Sequence, residues 1–489
     1  MAKQETFSRW GLILAGLGLA VGTGNMWRFP RMAAQNGGAA FLIPWIIFLF
    51  VWSFPLMIAE LSMGRGSRRG VIGAFTTLVG PRYAWMGGFV ATTTIMILFY
   101  YSVVTGWTLK YFFAALLGDL GGGGTPGAYW DAYLGTVWEP VLFHVLAALI
   151  AGYVIQRGVT EGIERVNRFL VPMLFLLLAV AAVRAVTLPG AVRGVEFLFN
   201  PNLSQLASYR VWLEAATQSA WSTGAGWGLL LTYGAYMSRQ DDIVLNTATI
   251  GFGNNSASLL AGLAVVPTAF AVLSSEEAMS AMRAGNVGLT FIWIPQLFAQ
   301  IPSGRIFLTL FFLALFSAAL SSLMAMYELG SRLLMDGGMS RRRAVAVVTG
   351  ATIVLGLPSA VSMAVFENQD FVWGLALMIS GLFVAYAAIT YGVDRFRADF
   401  INQPGVFIAA GPVFGWMLQY LVPTVFVAMF GWWMYQVVTI FDPDGWWNPV
   451  RTFSIGTCVV QWAVAMLLLR AFNRRLAESS VRSVVEAEA

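Results

Sequence analysis

Polar loops divide this chain into a succession of apolar runs, each about the 20 residues that a helix needs to cross a ~30 Å hydrocarbon layer. Twelve runs are legible, at roughly 10–35, 39–63, 84–115, 138–156, 164–186, 209–237, 243–273, 304–336, 343–364, 371–396, 411–441 and 449–473. At about 20 residues apiece they use about half the chain and leave only short loops. A separate soluble domain has no room, so residues 1–489 read as one all-α membrane unit. Composition agrees: 58% of residues are hydrophobic and 11% charged, with a mean hydropathy of +0.71, whereas soluble proteins carry about 25% charged residues. A soluble enzyme and a nucleic-acid-binding module are excluded. One cysteine, Cys458, and one histidine, His144, leave neither an intrachain disulfide nor a Cys/His zinc site. His144 lies in an apolar run and reads as a packed side chain. Residues 1–9 read as a short polar tail rather than a cleavable signal peptide.

The net charge of +5 is informative through its distribution. Numbering the runs as spans 1–12 and starting inside, 20 of the 29 Lys and Arg residues fall in inner loops or span ends, from Lys3 and Arg9 to Arg482. Seven, among them Arg210 and Arg283, fall outside, and Arg28 and Arg31 lie within span 1. Positive charge collects on the cytoplasmic side of membrane proteins. Both termini are therefore expected in the cytoplasm, with the chain in the plasma or inner cell membrane.

Two spans are poor helices where a helix is most regular. Span 1 carries GLGLAVGTGNMWRFP (16–30) and span 6 carries WSTGAGWG (221–228). Each helical glycine costs up to about 1 kcal/mol against alanine, so such density invites a break, although small residues also serve close helix packing in membranes. Two breaks five spans apart suggest two inverted five-helix repeats, spans 1–5 (about 10–186) and 6–10 (about 209–396), followed by spans 11 and 12 (about 411–473). Such paired breaks point to a transporter binding site. A break at mid-membrane is tolerated only where it lines a buried or watery cavity. It offers free N–H groups at a positive helix end for a carboxylate, and carbonyl oxygens for an ammonium or a hard cation. Asn25, Ser222, Asn254, Ser321 and Ser322 add side-chain oxygens, from the two breaks and from spans 7 and 8. Together these groups suit a zwitterion and Na⁺. The intramembrane acids are Glu60, Glu214, Glu328 and Asp370, and such groups read as functional by default. Asp370, at the outer start of span 10, is positioned to pair with Arg28, either as a gate or as a fixed anchor between helices.

GLGLAVGTGNMWRFP, NGGAAFLIP (36–44), YYSVVTGWTL (100–109), QSAWSTGAGWG (218–228) and SAALSS (317–322) resemble the neurotransmitter:sodium symporter family, which includes the bacterial leucine transporter. The resemblance covers spans 1–10 and implies alternating access, a bundle of spans 1, 2, 6 and 7 rocking against a scaffold. It implies one sodium site from the Ala20 carbonyl, Asn25, Ser222 and Asn254, with the substrate carboxylate as a further ligand. A second sodium site is implied from the carbonyls of Gly18, Val21 and Ala318 and the hydroxyls of Ser321 and Ser322. The amino acid would meet Ala20, Gly22, Thr23, Gly24, Tyr101, Trp221 and Ser222. Its side chain would face Ile97, Trp221, Gly224, Trp227, Ser322 and Met326. Arg28 and Asp370 would form the outer gate under an aromatic lid of Tyr101 and Trp221, and Asp336 matches the acid of the inner gate.

The chain departs from the family pattern in several places. Lys3 and Thr6, with Phe7 nearby, stand where the family's inner gate has arginine and tryptophan. Trp221 and Trp227 replace commoner phenylalanines, and Trp45 replaces a tyrosine. Gly22 stands where monoamine transporters carry an aspartate, leaving space for a substrate carboxylate. Four residues beyond Asn254, chloride-independent bacterial relatives carry a carboxylate; this chain has Ser258, as do chloride-dependent animal members. Gln218, Ser222 and Asn254 complete a candidate ring of donors around Cl⁻, while Trp45 lacks the tyrosine hydroxyl and Glu214 offers a competing fixed charge. The balance favours chloride stimulation.

The expectation is a sodium-coupled symporter of a neutral amino acid toward the small end. The alternatives are a proton-coupled or loosely coupled permease using Glu60 or Asp370, and a non-transporting receptor that keeps the pocket. A membrane enzyme has the least support, because no nucleophile–base pair or metal cluster is legible within the spans.

Overall fold

The computed structural model describes residues 6–121 and 127–488, with side chains as far as Ser480; Lys3 and the Arg482 side chain lie outside the described residues. All regular structure among the described residues is helical. Nine of these helices are long and apolar enough to cross a bilayer unaided. They are Ala39–Ser67 (span 2), Pro81–Leu117 (span 3), Trp138–Gln156 (span 4), Val159–Val186 (span 5), Ile243–Val272 (span 7), Gly304–Asp336 (span 8), Arg341–Val361 (span 9), Met363–Tyr391 (span 10) and Pro412–Phe441 (span 11). Ile455–Ala471 is span 12, with Asn473–Ser480 bent 64° away from it. The remaining two crossings are the broken ones. Span 1 joins Arg9–Ala20 to Phe29–Gln35 through a wide turn at Gly24–Arg28, and span 6 joins Tyr209–Ser222 to Leu229–Gly234. This is the twelve-helix architecture expected, with discontinuous spans 1 and 6. The first half of span 1 packs on the second half of span 6, and the second half of span 1 on the first half of span 6. That crossed pairing is what a two-fold between inverted repeats produces.

Span 10 begins two turns earlier than its hydropathy suggests. Ser362 caps it by accepting the Val365 N–H, and the polar Asn368 of its second turn donates to the Thr452 carbonyl and Thr457 Oγ1. Satisfied polar groups inside a helix mimic a loop in sequence. Asp370 consequently lies two turns inside span 10 and not at its start. His144 is fully buried, its ring between Ser102 Oγ and the Ile353 carbonyl, both at 3.1 Å, as a packed side chain would be.

Burial follows the bilayer. Along span 5, Phe169, Leu176 and Val183 are more than 60% exposed at seven-residue spacing, while Leu174 and Leu178 on the other face are buried. Apolar side chains exposed in this periodic way face lipid.

The breaks are placed by backbone conformation. Gly224, Gly226 and Gly228 adopt φ of +72°, +86° and +76°, a region that side chains with a Cβ rarely enter. In span 1 the helix yields only at 21–23, and Gly16 and Gly18 stay helical for close approach to neighbours. Glycine also permits span 2 to touch the second half of span 6. A Cβ at Gly64 would stand 2.0 Å from the Leu231 carbonyl oxygen, and one at Gly234 would stand 2.7 Å from that of Leu61. Neither backbone can retreat without reopening the break. Gly64→Val should therefore cost at least the ~1–3 kcal/mol typical of overpacking. Its melting temperature and monodispersity in detergent should fall, whereas Gly431→Val, with nothing within 4 Å of its Cβ, should match the parent in both measurements.

Candidate functional site

At the two breaks, polar side chains from neighbouring spans meet backbone that helices would otherwise satisfy. In span 1, Thr23 N–H and Oγ1 donate to the Tyr101 hydroxyl at 3.2 and 3.3 Å, and Gly22 N–H donates to Asn25 Oδ1 at 3.0 Å. In span 6, Glu60 is fully buried and accepts the N–H groups of Gly228 and Leu231 at 3.1 and 3.3 Å. A carboxylate at the positive end of a half-helix is favourable, so Glu60 serves as the cap of the second half of span 6.

Between the breaks lies a cavity of about 120 Å³. All of the anticipated substrate residues line it: Ala20, Gly22, Thr23, Gly24, Ile97, Tyr101, Trp221, Ser222, Gly224, Trp227, Ser322 and Met326. Val104, Asn286, Phe366 and Leu377 join them. Val104 was findable, lying one turn beyond Tyr101; the others carry no local signal. A Cβ at Gly22 would stand 2.9 Å from Ser322 Oγ and 3.1 Å from the Tyr101 hydroxyl. Glycine there keeps the cavity open.

Beside the cavity, the Asn254 side-chain amide lies against the Ala20 and Ser222 carbonyl oxygens, at 3.0 and 2.9 Å. Either end of this amide serves: its NH2 donates to both carbonyls, or its oxygen joins them as a third acceptor around a cation. Asn25 is oriented otherwise than the first sodium site requires. Its oxygen is taken by Gly22 N–H, and its NH2 donates to Ser258 Oγ at 2.8 Å and Ser222 Oγ at 3.1 Å, and to Asn254 Oδ1 at 2.8 Å when the Asn254 oxygen is the end that faces the two carbonyls. On the far side of span 1, Ser322 Oγ donates to the Gly18 and Leu19 carbonyls at 3.3 and 3.2 Å, and Ser321 Oγ to that of Ala318 at 3.0 Å. Val21 is buried at the end of this helix. Both donor sets are neutral oxygens, the chemistry of a hard monovalent cation. Among the described residues no group of three or more His, Cys, Asp or Glu side chains could hold another metal.

One turn from Ser222, Gln218 Oε1 is buried without a hydrogen-bond partner among the described residues, as is the Trp45 indole N–H. Glu214 accepts from Trp432 Nε1 at 3.3 Å. Arg28 does not pair with Asp370. Its guanidinium lies 3.8 Å over the Trp221 ring, whose N–H donates to the Gly374 carbonyl at 3.1 Å. Arg28, Asp370 and Trp221 line both the cavity and a vestibule of about 950 Å³.

A family model described as the sodium:neurotransmitter symporter family matches residues 4–124 and 132–475. The chain belongs to this family. A sodium-dependent transporter of Methanocaldococcus jannaschii is 31% identical, covering 82% of this chain and 85% of the relative. One of Bacillus subtilis is 29% identical over 86% and 96%. The human sodium- and chloride-dependent GABA transporter 2 is 26% identical over 86% and 78%. The crystal structure of MhsT in complex with L-phenylalanine superposes with a TM-score of 0.77 at 29% identity, covering 88% of this chain and 99% of that one. The protein is a sodium-coupled transporter and not an enzyme.

On the transporter's arginine-rich face, a buried cluster lies beside the acid expected in the inner gate, joined to it through Arg332. Lys3 lies outside the described residues, and Asp336 is held within its own neighbourhood, accepting Arg332 Nε at 2.9 Å and Gly70 N–H at 2.6 Å. Phe7 occupies the seam, 3% exposed, edge-on to Tyr233 and Tyr236 with its N–H on the Tyr236 carbonyl at 3.0 Å. A candidate latch is the fully buried Glu328, which accepts Arg341 at 2.7 and 3.1 Å and the Tyr236 hydroxyl at 2.5 Å. Arg341 was hidden among Arg342 and Arg343 in sequence, where it counted only as a topology charge. Removing one partner of a buried pair costs ~3–5 kcal/mol. Arg341→Ala should therefore speed thiol labelling of Ser331→Cys, placed in a Cys458→Ala background, about tenfold or more. Unchanged labelling would remove the latch.

Proposed function

We propose that this transporter carries a neutral amino acid together with two sodium ions, and that its arginine-rich face is cytoplasmic. The observation that carries the reading is the charge pattern of the cavity. Its interior is lined by neutral groups, with Arg28 and Asp370 only at the mouth shared with the vestibule. A charged substrate side chain inside would be left unpaired at several kcal/mol. A zwitterion's carboxylate has the broken backbone at Gly22–Gly24 and the Tyr101 hydroxyl to meet. A sodium ion among Ala20, Ser222 and Asn254, once Asn25 turns its oxygen inward, supplies the countercharge. MhsT with bound L-phenylalanine supports an amino-acid substrate of this class. Arg28 and Asp370 then act as an outer gate that closes over the occupied pocket, while the Glu328–Arg341 latch opens in turn. In proteoliposomes, alanine, glycine, leucine or phenylalanine should compete for sodium-driven uptake, whereas inhibition by arginine or glutamate alone would refute the neutral class.

The second sodium site rests on Ser321 and Ser322. Losing a hydroxyl ligand in a low-dielectric site costs roughly 1–3 kcal/mol. Ser321→Ala should raise the sodium concentration for half-maximal uptake about tenfold or more, at 1.4 kcal/mol per decade. An unchanged sodium dependence would remove Ser321 from the site.

Chloride follows from the groups around Asn25. Two cations in a low-dielectric site favour a nearby negative charge, and Ser258 is not one. The Ser258 and Ser222 hydroxyls, both on the Asn25 amide, are the hydrogen-bond donors that this region offers an anion, with the Gln218 amide one turn from Ser222. Replacing chloride by gluconate should slow wild-type uptake, and Ser258→Glu should be indifferent to the exchange. Equal wild-type rates in both buffers would turn attention to Glu214 as the fixed charge.

A further inference from the structure

We infer that Asn167, on span 5, is a ligand of the second sodium site. The inference rests on the reading of that site given above and extends it to a residue that the family motifs did not indicate. Asn167 is fully buried, and neither its Oδ1 nor its Nδ2 has a hydrogen-bond partner among the described residues. A buried polar group without a partner is unusual in a folded protein, and one facing a cation site has an evident partner. The position is specific. A Cβ built on Gly18 would stand 2.4 Å from Asn167 Oδ1 and 3.2 Å from Ser321 Cβ. The amide oxygen of span 5 and the side chain of Ser321 on span 8 therefore converge on the same face of Gly18. Only glycine at that point admits both.

The packing reading is that Asn167 merely fills the crossing of spans 1, 5 and 8. An asparagine used for packing inside a membrane would bond a neighbouring side chain or a helix carbonyl, as Asn36 does with the Met32 carbonyl at 2.9 Å. Asn167 does neither. One turn nearer the arginine-rich face, the same side of span 5 is already tied to span 1. Glu164 accepts Ser8 Oγ at 2.6 Å, Ser8 N–H at 3.0 Å and Arg168 at 2.8 Å. Spans 1 and 5 are thus joined by direct hydrogen bonds at the lower level. At the upper level the Asn167 amide is unpartnered and lies, with Ser321, against the face of Gly18, within reach of the proposed cation site. Sodium at this site would link span 5 of the scaffold to span 1 of the moving bundle, and its departure would leave Glu164 as the side chain of span 5 that hydrogen-bonds span 1.

The test reads sodium binding without transport. Thermal stability of purified protein, free of substrate, is titrated with NaCl against choline chloride at constant ionic strength, since a ligand bound only to the folded state raises the melting temperature with its concentration. Asn167→Ala should raise the sodium midpoint about tenfold, as Ser321→Ala does. Asn167→Asp keeps an oxygen in place and adds a negative charge, so its midpoint should lie at or below that of the parent. A rise in Asn167→Asp equal to that in Asn167→Ala would mean that packing and not the oxygen matters, and would overturn the inference. A parental midpoint for Asn167→Ala, with Ser321→Ala shifted, would overturn Asn167 and leave the site standing. Parental midpoints in both would overturn the site and the inference together.

Discussion

A helix that stops inside a membrane exposes backbone N–H and C=O groups where no water can meet them, and everything distinctive about this transporter answers that demand. At the break in span 6, Glu60 takes the N–H groups of Gly228 and Leu231, while Ser380 and Thr94 donate to the Gly226 and Trp227 carbonyls at 2.5 Å. At the break in span 1, Asn25, Tyr101 and Ser322 do the same work. Apart from Asn25 of span 1 itself, the satisfying groups come from spans 2, 3, 8 and 10, so the breaks are held by the fold as a whole. The groups left over, neutral oxygens and N–H donors of one small cavity, form the candidate binding site.

The two ends of the molecule differ in how their charges are met. Toward the vestibule, Arg28 spends its interaction on the face of Trp221, at 3.8 Å, and Asp370 lies in the same opening. A guanidinium over an indole is worth less than a buried, hydrogen-bonded ion pair, which makes this end the easier to rearrange. At the arginine-rich end, Glu328 is fully buried with Arg341 and Tyr236, and Phe7 fills the seam. The charges at one end thus face an open vestibule, while those at the other are buried and paired.

The sequence carried most of the fold because lipid imposes a one-dimensional rule: a span must be long, apolar and internally hydrogen-bonded. The same rule made the two exceptions conspicuous, since glycine density at 16–30 and 221–228 exceeds what an uninterrupted span needs, although Gly16 and Gly18 proved to serve close packing. Where polar residues are satisfied by distant partners the rule failed, as at the start of span 10, where Asn368 bonds to groups beside span 12. The pocket residues were legible as a set through motifs, and all of them line one cavity. The latch was not, because nothing local distinguishes Arg341 from its neighbours.

What the sequence determined by itself is what depends on chain-local chemistry: twelve crossings, two breaks, the charge asymmetry of the loops and the residue types at the breaks. What only the tertiary structure decided is pairing across elements far apart in the chain. It set Arg28 on Trp221 and not on Asp370, joined Glu328 to Arg341, turned the Asn25 oxygen to Gly22, and left Asn167 unpartnered beside Gly18 and Ser321. The physical reason is that burial and periodicity are written residue by residue, whereas a hydrogen bond or ion pair depends on two side chains whose separation is fixed only once all the spans have packed.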